Sequence, residues 1–207
     1  MAEPFNQTLS GGAADGTVCE DGCMTLPSAW VMRFLPLVRS GGRVLDVACG
    51  ECRHTALLLL KGFQVLAVDA DASHARSLLG APGLAVEQRD LEGDPWPYDG
   101  QGFDAVIVTN YLHREHFPHY WASLAPGGVF IMETFTKANA AIWGRPRSPA
   151  HYLLPGELLQ LMPAGARLAA YEEGLTTERH AVARIVWMKP EASGEPRFRC
   201  GAPLGAR

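Results

Sequence analysis

Three aspartates and the turn between two of them carry most of the chemistry this chain can do. Asp46 lies near the end of the apolar run Val44-Leu45-Asp46-Val47, Asp69 closes Val65-Leu66-Ala67-Val68, and Asp90 follows a third short run. A carboxylate at a strand tip accepts hydrogen bonds from hydroxyl and amino groups. Between the first two lies Ala48-Cys49-Gly50-Glu51-Cys52-Arg53-His54. A turn of small residues brings backbone N–H groups and a helix start close to a ligand. Asp69, nineteen residues after Gly50, stands where an acid takes ribose hydroxyls.

A second group follows the apolar run Phe103–Thr109: Asn110, Tyr111 and His113. An imidazole titrates near neutral pH, so His113 is a candidate base; the plain alternative is an exposed residue at a helix start. Asn110 can orient a ligand through its amide, and Tyr111 can line a pocket. His116 and His119 follow at three-residue steps and would share a face in a helix, but Pro118 opposes a continuous one. No Cys or carboxylate joins them with ligand spacing, so no metal is expected there. Glu133 interrupts an apolar strand, and a buried acid needs a partner. Arg145 or Arg147, from the long loop, could supply it. Those two arginines could instead grip an anionic substrate, or simply be solvated.

The elements that place these residues follow from periodicity. Leu26–Val38 has helical spacing, with Pro27 and Ser28 suited to its start. Trp30 in it either overhangs the turn, as a substrate contact, or belongs to the core. Strands are expected at 43–48, 64–68, 84–88, 103–109 and 129–135. Helices are expected at 52–61, 73–79 and 117–124. The stretch 136–154 reads as a long functional loop or lid, followed by a helix at 155–162 and strands at 166–173 and 181–188. Alternation implies parallel strands with helices on both faces. The short last connection makes the final two strands antiparallel neighbours.

With 207 residues, 47% of them hydrophobic and 19% charged, the chain reads as one globular domain over 25–189 between flexible segments at 1–24 and 190–207. A net charge of −4 argues against nucleic acid as a partner. No apolar run is long enough for a membrane span, and the N-terminus lacks a basic signal region, so no membrane partner and a cytoplasmic location are expected. Five cysteines, Cys19, Cys23, Cys49, Cys52 and Cys200, are an odd number that argues for free thiols. Zinc on the four thiols of Cys19, Cys23, Cys49 and Cys52 is disfavoured, because Cys49 lies inside the ligand turn.

Two nucleoside ligands fit the strand–turn–helix. A dinucleotide calls for G-x-G-x-x-G; here Gly50 is the only glycine and Glu51 would oppose a pyrophosphate. S-adenosylmethionine has no phosphate. Its ammonium suits Asp46 and Glu51, its ribose suits Asp69 beside Ala70, and its adenine amino group suits Asp90 with the Leu91 backbone. Ala48, Cys49 and Gly50 would line the turn against it, and Asn110 would face it from the next strand. Each acid alone could be a solvated loop carboxylate.

Val44-Leu45-Asp46-Val47-Ala48-Cys49-Gly50, Val68-Asp69, Arg89-Asp90, Phe103-Asp104-Ala105-Val106 and Leu124-Ala125-Pro126-Gly127-Gly128 resemble, in order, the motifs of class I S-adenosylmethionine-dependent methyltransferases. Within that class the turn is similar to that of small tellurite-resistance-like methyltransferases, except that Cys52 stands where a glycine is usual and could narrow the turn. The resemblance implies a Rossmann-like α/β fold, a seven-stranded mostly parallel sheet in the order 3-2-1-4-5-7-6 with strand 7 antiparallel and helices on both faces. It also implies methyl transfer from S-adenosylmethionine. Such transfer is an in-line displacement in which positioning can supply roughly 7–11 kcal/mol, so none of Asn110, Tyr111 or His113 is obligatory. A small-molecule acceptor is expected, touched by Trp30, Tyr111, Glu133, Arg145 and Arg147. Protein or RNA methylation, or a non-catalytic binding module, are the alternatives.

Overall fold

The computed structural model describes residues 26–191. The expectations for 1–24, for 190–207 beyond residue 191, and for Cys19, Cys23 and Cys200 lie outside the described residues.

Ser28 starts the first helix, α1 (Ala29–Phe34), its hydroxyl accepting from the N–H groups of Trp30 and Val31. This is the N-cap bond that a serine supplies to orphan amides. A short 3₁₀ turn through Pro36 leads into β1 (Arg43–Val47). Then come α2 (Arg53–Leu60), β2 (Gln64–Asp69), β3 (Leu84–Gln88) and β4 (Phe103–Thr109). They are followed by α3 (Phe117–Ser123), β5 (Leu124–Phe135), α4 (Lys137–Trp143), α5 (Glu157–Gln160), β6 (Arg167–Leu175) and β7 (Ala181–Met188).

The seven strands form one sheet in the order β3-β2-β1-β4-β5-β7-β6. Strands β1 to β5 pair in parallel, while β7 runs antiparallel to both β5 and β6. The expected architecture is therefore the observed one. Every residue of β4 is buried, as a central strand covered on both faces requires. Alternation splits the core in two. Val44, Ala105, Ile107, Ile131 and Val186 pack under α1 and α2 with Trp30, Phe34 and Leu58. Leu45, Val106, Val108, Phe130 and Trp187 face Phe117, Tyr120 and Leu158.

At the strand starts, Asp104 is a structural acid. It accepts from the Arg43 N–H at 2.8 Å and from the Arg39 guanidinium at 3.0 Å. Gly42 lies so close that a Cβ there would stand 2.7 Å from Asp104 Oδ2 and 2.8 Å from the Arg39 carbonyl.

Four sequence expectations are revised. The helix at 73–79 is a 3₁₀ helix over Ala72–Leu78, capped by the Asp71 side chain on the Ser73 N–H. The helix at 155–162 shrinks to α5. Strand β5 begins at Leu124, pairs once with Phe103, shifts register, and resumes at Val129. The stretch 136–154 is not a structureless loop. It holds α4, ended by left-handed Gly144, and a 3₁₀ turn at Pro149–His151. Buried Asn139 ties it down, accepting from the Ala181 N–H and donating to the Arg145 carbonyl. Leu153 closes it back onto Phe135. These anchors are long-range, so helical spacing near Trp143-Gly144-Arg145-Pro146 does not reveal them.

Candidate functional site

The carboxyl ends of the parallel strands, together with the start of β7, share one edge of the sheet. In an open α/β sheet that edge is where ligands bind. Asp46, Ala48, Cys49, Gly50, Asp69 and Ala70 meet there at the tips of β1 and β2. Asp90 and Leu91 stand just past β3, Asn110 to His113 just past β4, and Glu133 near the end of β5.

The turn after β1 is built by long-range bonds. The Cys49 N–H donates to the Val68 carbonyl at 3.0 Å. The Gly50 N–H donates to Asp69 Oδ2 at 2.8 Å, and the Asp71 N–H donates to Asp69 Oδ1 at 2.9 Å. A carboxylate oxygen accepts more than one hydrogen bond, so Asp69 retains capacity for hydroxyls. A Cβ on Gly50 would meet nothing within 4 Å, so the space over this turn is open. Ala48, Gly50 and Cys52 all have left-handed backbone, with φ of 51°, 51° and 60°.

Cys52 does not narrow the turn as its identity led us to expect. Its side chain is buried, and its Sγ lies 3.8 Å from Cys49 Sγ and 3.6 Å from the Gly50 carbonyl. Burial raises both thiols above the ordinary cysteine value.

Asp46 is 1% exposed, beneath the turn rather than facing out of it. The Thr55 hydroxyl donates to its Oδ2 at 2.6 Å. Burial pushes its pKa up to about 6, against the hydrogen bonds from Thr55. Next to Thr55, His54 is also buried. The Ser28 N–H donates to its Nε2 at 3.0 Å, and its Nδ1 lies 3.2 Å from Thr109 Oγ1. Burial, then the Arg53 charge, lowers its pKa to about 3, so the ring is neutral. Sequence reasoning missed His54, Thr55 and Thr109. The available signals were a polar residue ending an otherwise apolar strand and a histidine opening an apolar helix.

Asp90 is exposed and accepts from the Glu92 N–H at 3.0 Å. Asn110 is exposed and left-handed, with φ of 56°, and its N–H donates to the Glu133 carbonyl at 2.9 Å. The Tyr111 hydroxyl is buried without an aligned partner. Burial and the nearby Glu92 and Asp90 charges raise its pKa above the usual tyrosine value. The His113 ring lies 4.0 Å from that of His116, centroid to centroid, tilted by 45°. His116 is buried and pushed down to about 4, by burial first and then by His113. The three histidines do not share one helical face, in keeping with Pro118: a 3₁₀ turn at Arg114–His116 precedes α3, and His119 pairs with Asp99 at 3.0 Å.

Glu133 is not partnered by Arg145 or Arg147. Arg184, opposite it on β7, places Nε 2.5 Å from its Oε2. A strand partner in register holds a buried acid without the reach that a distant loop requires. The same guanidinium lies 5.8 Å over the Trp30 ring. Trp30 itself is buried in the core against Phe34, with ring centroids 4.5 Å apart. Arg145 and Arg147 are exposed beyond α4.

Comparisons with known proteins place this geometry. The family model of the methionine biosynthesis protein MetW matches residues 30–122. YqeM of Bacillus subtilis, a candidate methyltransferase, is 30% identical over 128 residues, which cover 54% of this chain and 49% of that one. Ribosomal RNA small subunit methyltransferase C of Chromohalobacter salexigens is 33% identical over 108 residues, 45% of this chain and 31% of its own. The chain thus spans about half of the first relative and under a third of the second. An S-adenosylmethionine-dependent methyltransferase structure from Mesorhizobium loti superposes with a TM-score of 0.59 at 18% identity, covering 74% of this chain and 94% of that one. The sheet order, the ligand edge and these relatives agree: the chain has the fold of class I S-adenosylmethionine-dependent methyltransferases and is related in sequence to methyltransferases.

Proposed function

We propose that the chain is a methyltransferase that binds S-adenosylmethionine at the β1–β2 tips and transfers its methyl group in line to a small-molecule acceptor. The observation that carries this reading is Asp69. Its carboxylate closes the turn through the Gly50 N–H and keeps acceptor capacity beside open space. In this reading ribose hydroxyls donate to Asp69 with Ala70 alongside, Asp90 and the Leu91 backbone take the adenine, and Ala48, Cys49 and Gly50 line the methionine end. Asp46 acts from below: held by Thr55, it fixes the start of α2 under the turn and adds negative potential for the ammonium. When bound, the donor supplies an activated methyl group. The protein holds the acceptor collinear with it, and Asn110 and Tyr111 border that space. His113 takes a proton only from an acceptor that arrives protonated. Trp30, Glu133, Arg145 and Arg147 were expected to touch the acceptor. Of these only the two arginines are exposed and without a bound acid, and they suit an anionic one. We place the domain at 25–189 and the protein in the cytoplasm, with neither membrane nor nucleic acid as a partner. The likeness of the turn to small tellurite-resistance-like enzymes names no acceptor.

RNA methylation is the second reading, favoured by the ribosomal RNA methyltransferase among the relatives and opposed by the net charge of −4. Calorimetry with S-adenosylmethionine tests the donor site. Wild type should bind, and Asp69→Ala should bind roughly tenfold or more weakly, since hydrogen bonds to a charged group are at stake. Equal binding by the variant sinks the assignment. Formation of S-adenosylhomocysteine with a metabolite pool, set against a ribosomal RNA pool, then chooses the acceptor class.

A further inference from the structure

We infer that His54 is a positioning residue that locks the donor turn to the two elements flanking it, the start of α1 and the end of β4. The inference rests on the donor-site reading above and deepens it.

His54 is the second residue of α2, the helix that leaves the turn, and is 2% exposed. A backbone amide can only donate. The Ser28 N–H on Nε2 therefore requires that nitrogen to be unprotonated. The proton of the neutral ring then sits on Nδ1 and is donated to Thr109 Oγ1, 3.2 Å away. One imidazole thus spends both nitrogens on different elements. Ser28 is the N-cap of α1, its hydroxyl already occupied by Trp30 and Val31. Thr109 is the last residue of β4, and Asn110 follows it in a left-handed conformation fixed by the Glu133 carbonyl. The neighbouring Thr55 holds Asp46 of β1. Two successive side chains on the first turn of α2 therefore set the acid under the donor and the strand end beside it. Any buried neutral histidine needs a partner for each ring nitrogen, and one neighbouring element can supply both. This one joins three elements around the turn.

The test uses the full chain, S-adenosylmethionine and S-adenosylhomocysteine as calorimetric probes, and amide hydrogen exchange over residues 28–31. His54→Ala and Thr109→Val should each weaken S-adenosylmethionine binding about tenfold. The double variant should be no weaker than the worse single one, because both break one connection. His54→Gln, which keeps an acceptor and a donor, should recover to within about threefold of wild type. The Ser28 and Val31 amides should exchange faster in His54→Ala but not in Thr109→Val. Unchanged affinity in a folded His54→Ala overturns the inference. So do additive losses, or a glutamine variant as weak as alanine. Should His54→Ala fail to fold, Thr109→Val and His54→Gln decide the matter. Should wild type bind neither probe, the donor-site reading falls, and the exchange pattern alone decides whether the bridge exists.

Discussion

Replacing His54 by glutamine should change how stability depends on pH, and the change follows from two buried neighbours. His54 falls from an ordinary value of 6.5 to about 3 in the folded chain. Asp46 rises from 3.8 to about 6. A lowered histidine contributes stability above its unfolded value and loses it as pH falls, because only the unfolded chain takes up the proton. A raised aspartate does the opposite: its contribution is full below 3.8 and is lost as pH rises through about 6. Between pH 4 and 6 the unfolded chain carries one proton on this pair, on His54, and the folded chain also carries one, on Asp46. The two slopes cancel. In His54→Gln only the aspartate term remains, so the variant should lose stability relative to wild type by about 1.4 kcal/mol per pH unit. From pH 4 to 6 that amounts to about 3 kcal/mol. His116, also lowered, is present in both proteins and drops out of the difference. Urea denaturation of both proteins at half-unit steps from pH 4 to 7 measures it. A stability difference that stays flat across pH 4–6 would refute the neutral, buried assignment of His54.

Other substitutions test the rest of the frame. Cys52→Gly relieves a left-handed residue but empties a buried thiol site, terms of about 1 kcal/mol each and opposite sign; its melting temperature and S-adenosylmethionine affinity should stay close to wild type, and a large loss of affinity would place the thiol in the ligand space. Glu133→Gln removes the nearer of the two carboxylates on the Arg184 guanidinium and leaves Glu172 at 3.6 Å; it should cost about 2 kcal/mol in urea denaturation, whereas Glu133→Gln with Arg184→Met should recover most of it. Gly42→Ala drives a methyl group against Asp104 and the Arg39 carbonyl; a loss of about 2 kcal/mol is expected, and an unchanged melting curve would mean that this corner yields freely. Arg145→Ala and Arg147→Ala, both exposed, should leave stability within about 0.5 kcal/mol; a selective fall in turnover on anionic acceptors would assign them to the acceptor.

What the sequence made legible was local or periodic. Apolar runs located all seven strands, and the short connection between those at 166–173 and 181–188 located the hairpin, because strand burial is written into residue type. The acids at the strand tips were readable for the same reason: each lies at or near the end of a stretch that reads as a strand. The partners of those acids were not readable. Glu133 finds Arg184 across a strand pair 51 positions away in sequence, the difference between two numbers in one register. Asn139 finds the Ala181 N–H across 42 positions. No spacing rule reaches that far. The structure within 136–154 was unreadable likewise, since helix α4 is held by Asn139 and Leu153 rather than by a long amphipathic repeat.

The turn itself shows where a residue count misleads. Its single glycine argues against a dinucleotide only if glycine number measures the backbone a turn requires. In the structure three of its residues are left-handed, and only Gly50 is glycine. Ala48 and Cys52 hold that conformation at a cost of roughly 1–2 kcal/mol each. Local sequence does not repay it; bonds from elsewhere do, from Asp69 to the Gly50 amide, from Val68 to the Cys49 amide and from Thr55 to Asp46. Glycine content therefore measures how much of such a turn is self-supporting, while the fold around it sets its shape. The firmer sequence argument against a phosphate ligand is the charge of Glu51 within the turn. A cationic donor turns that same charge from repulsion into attraction.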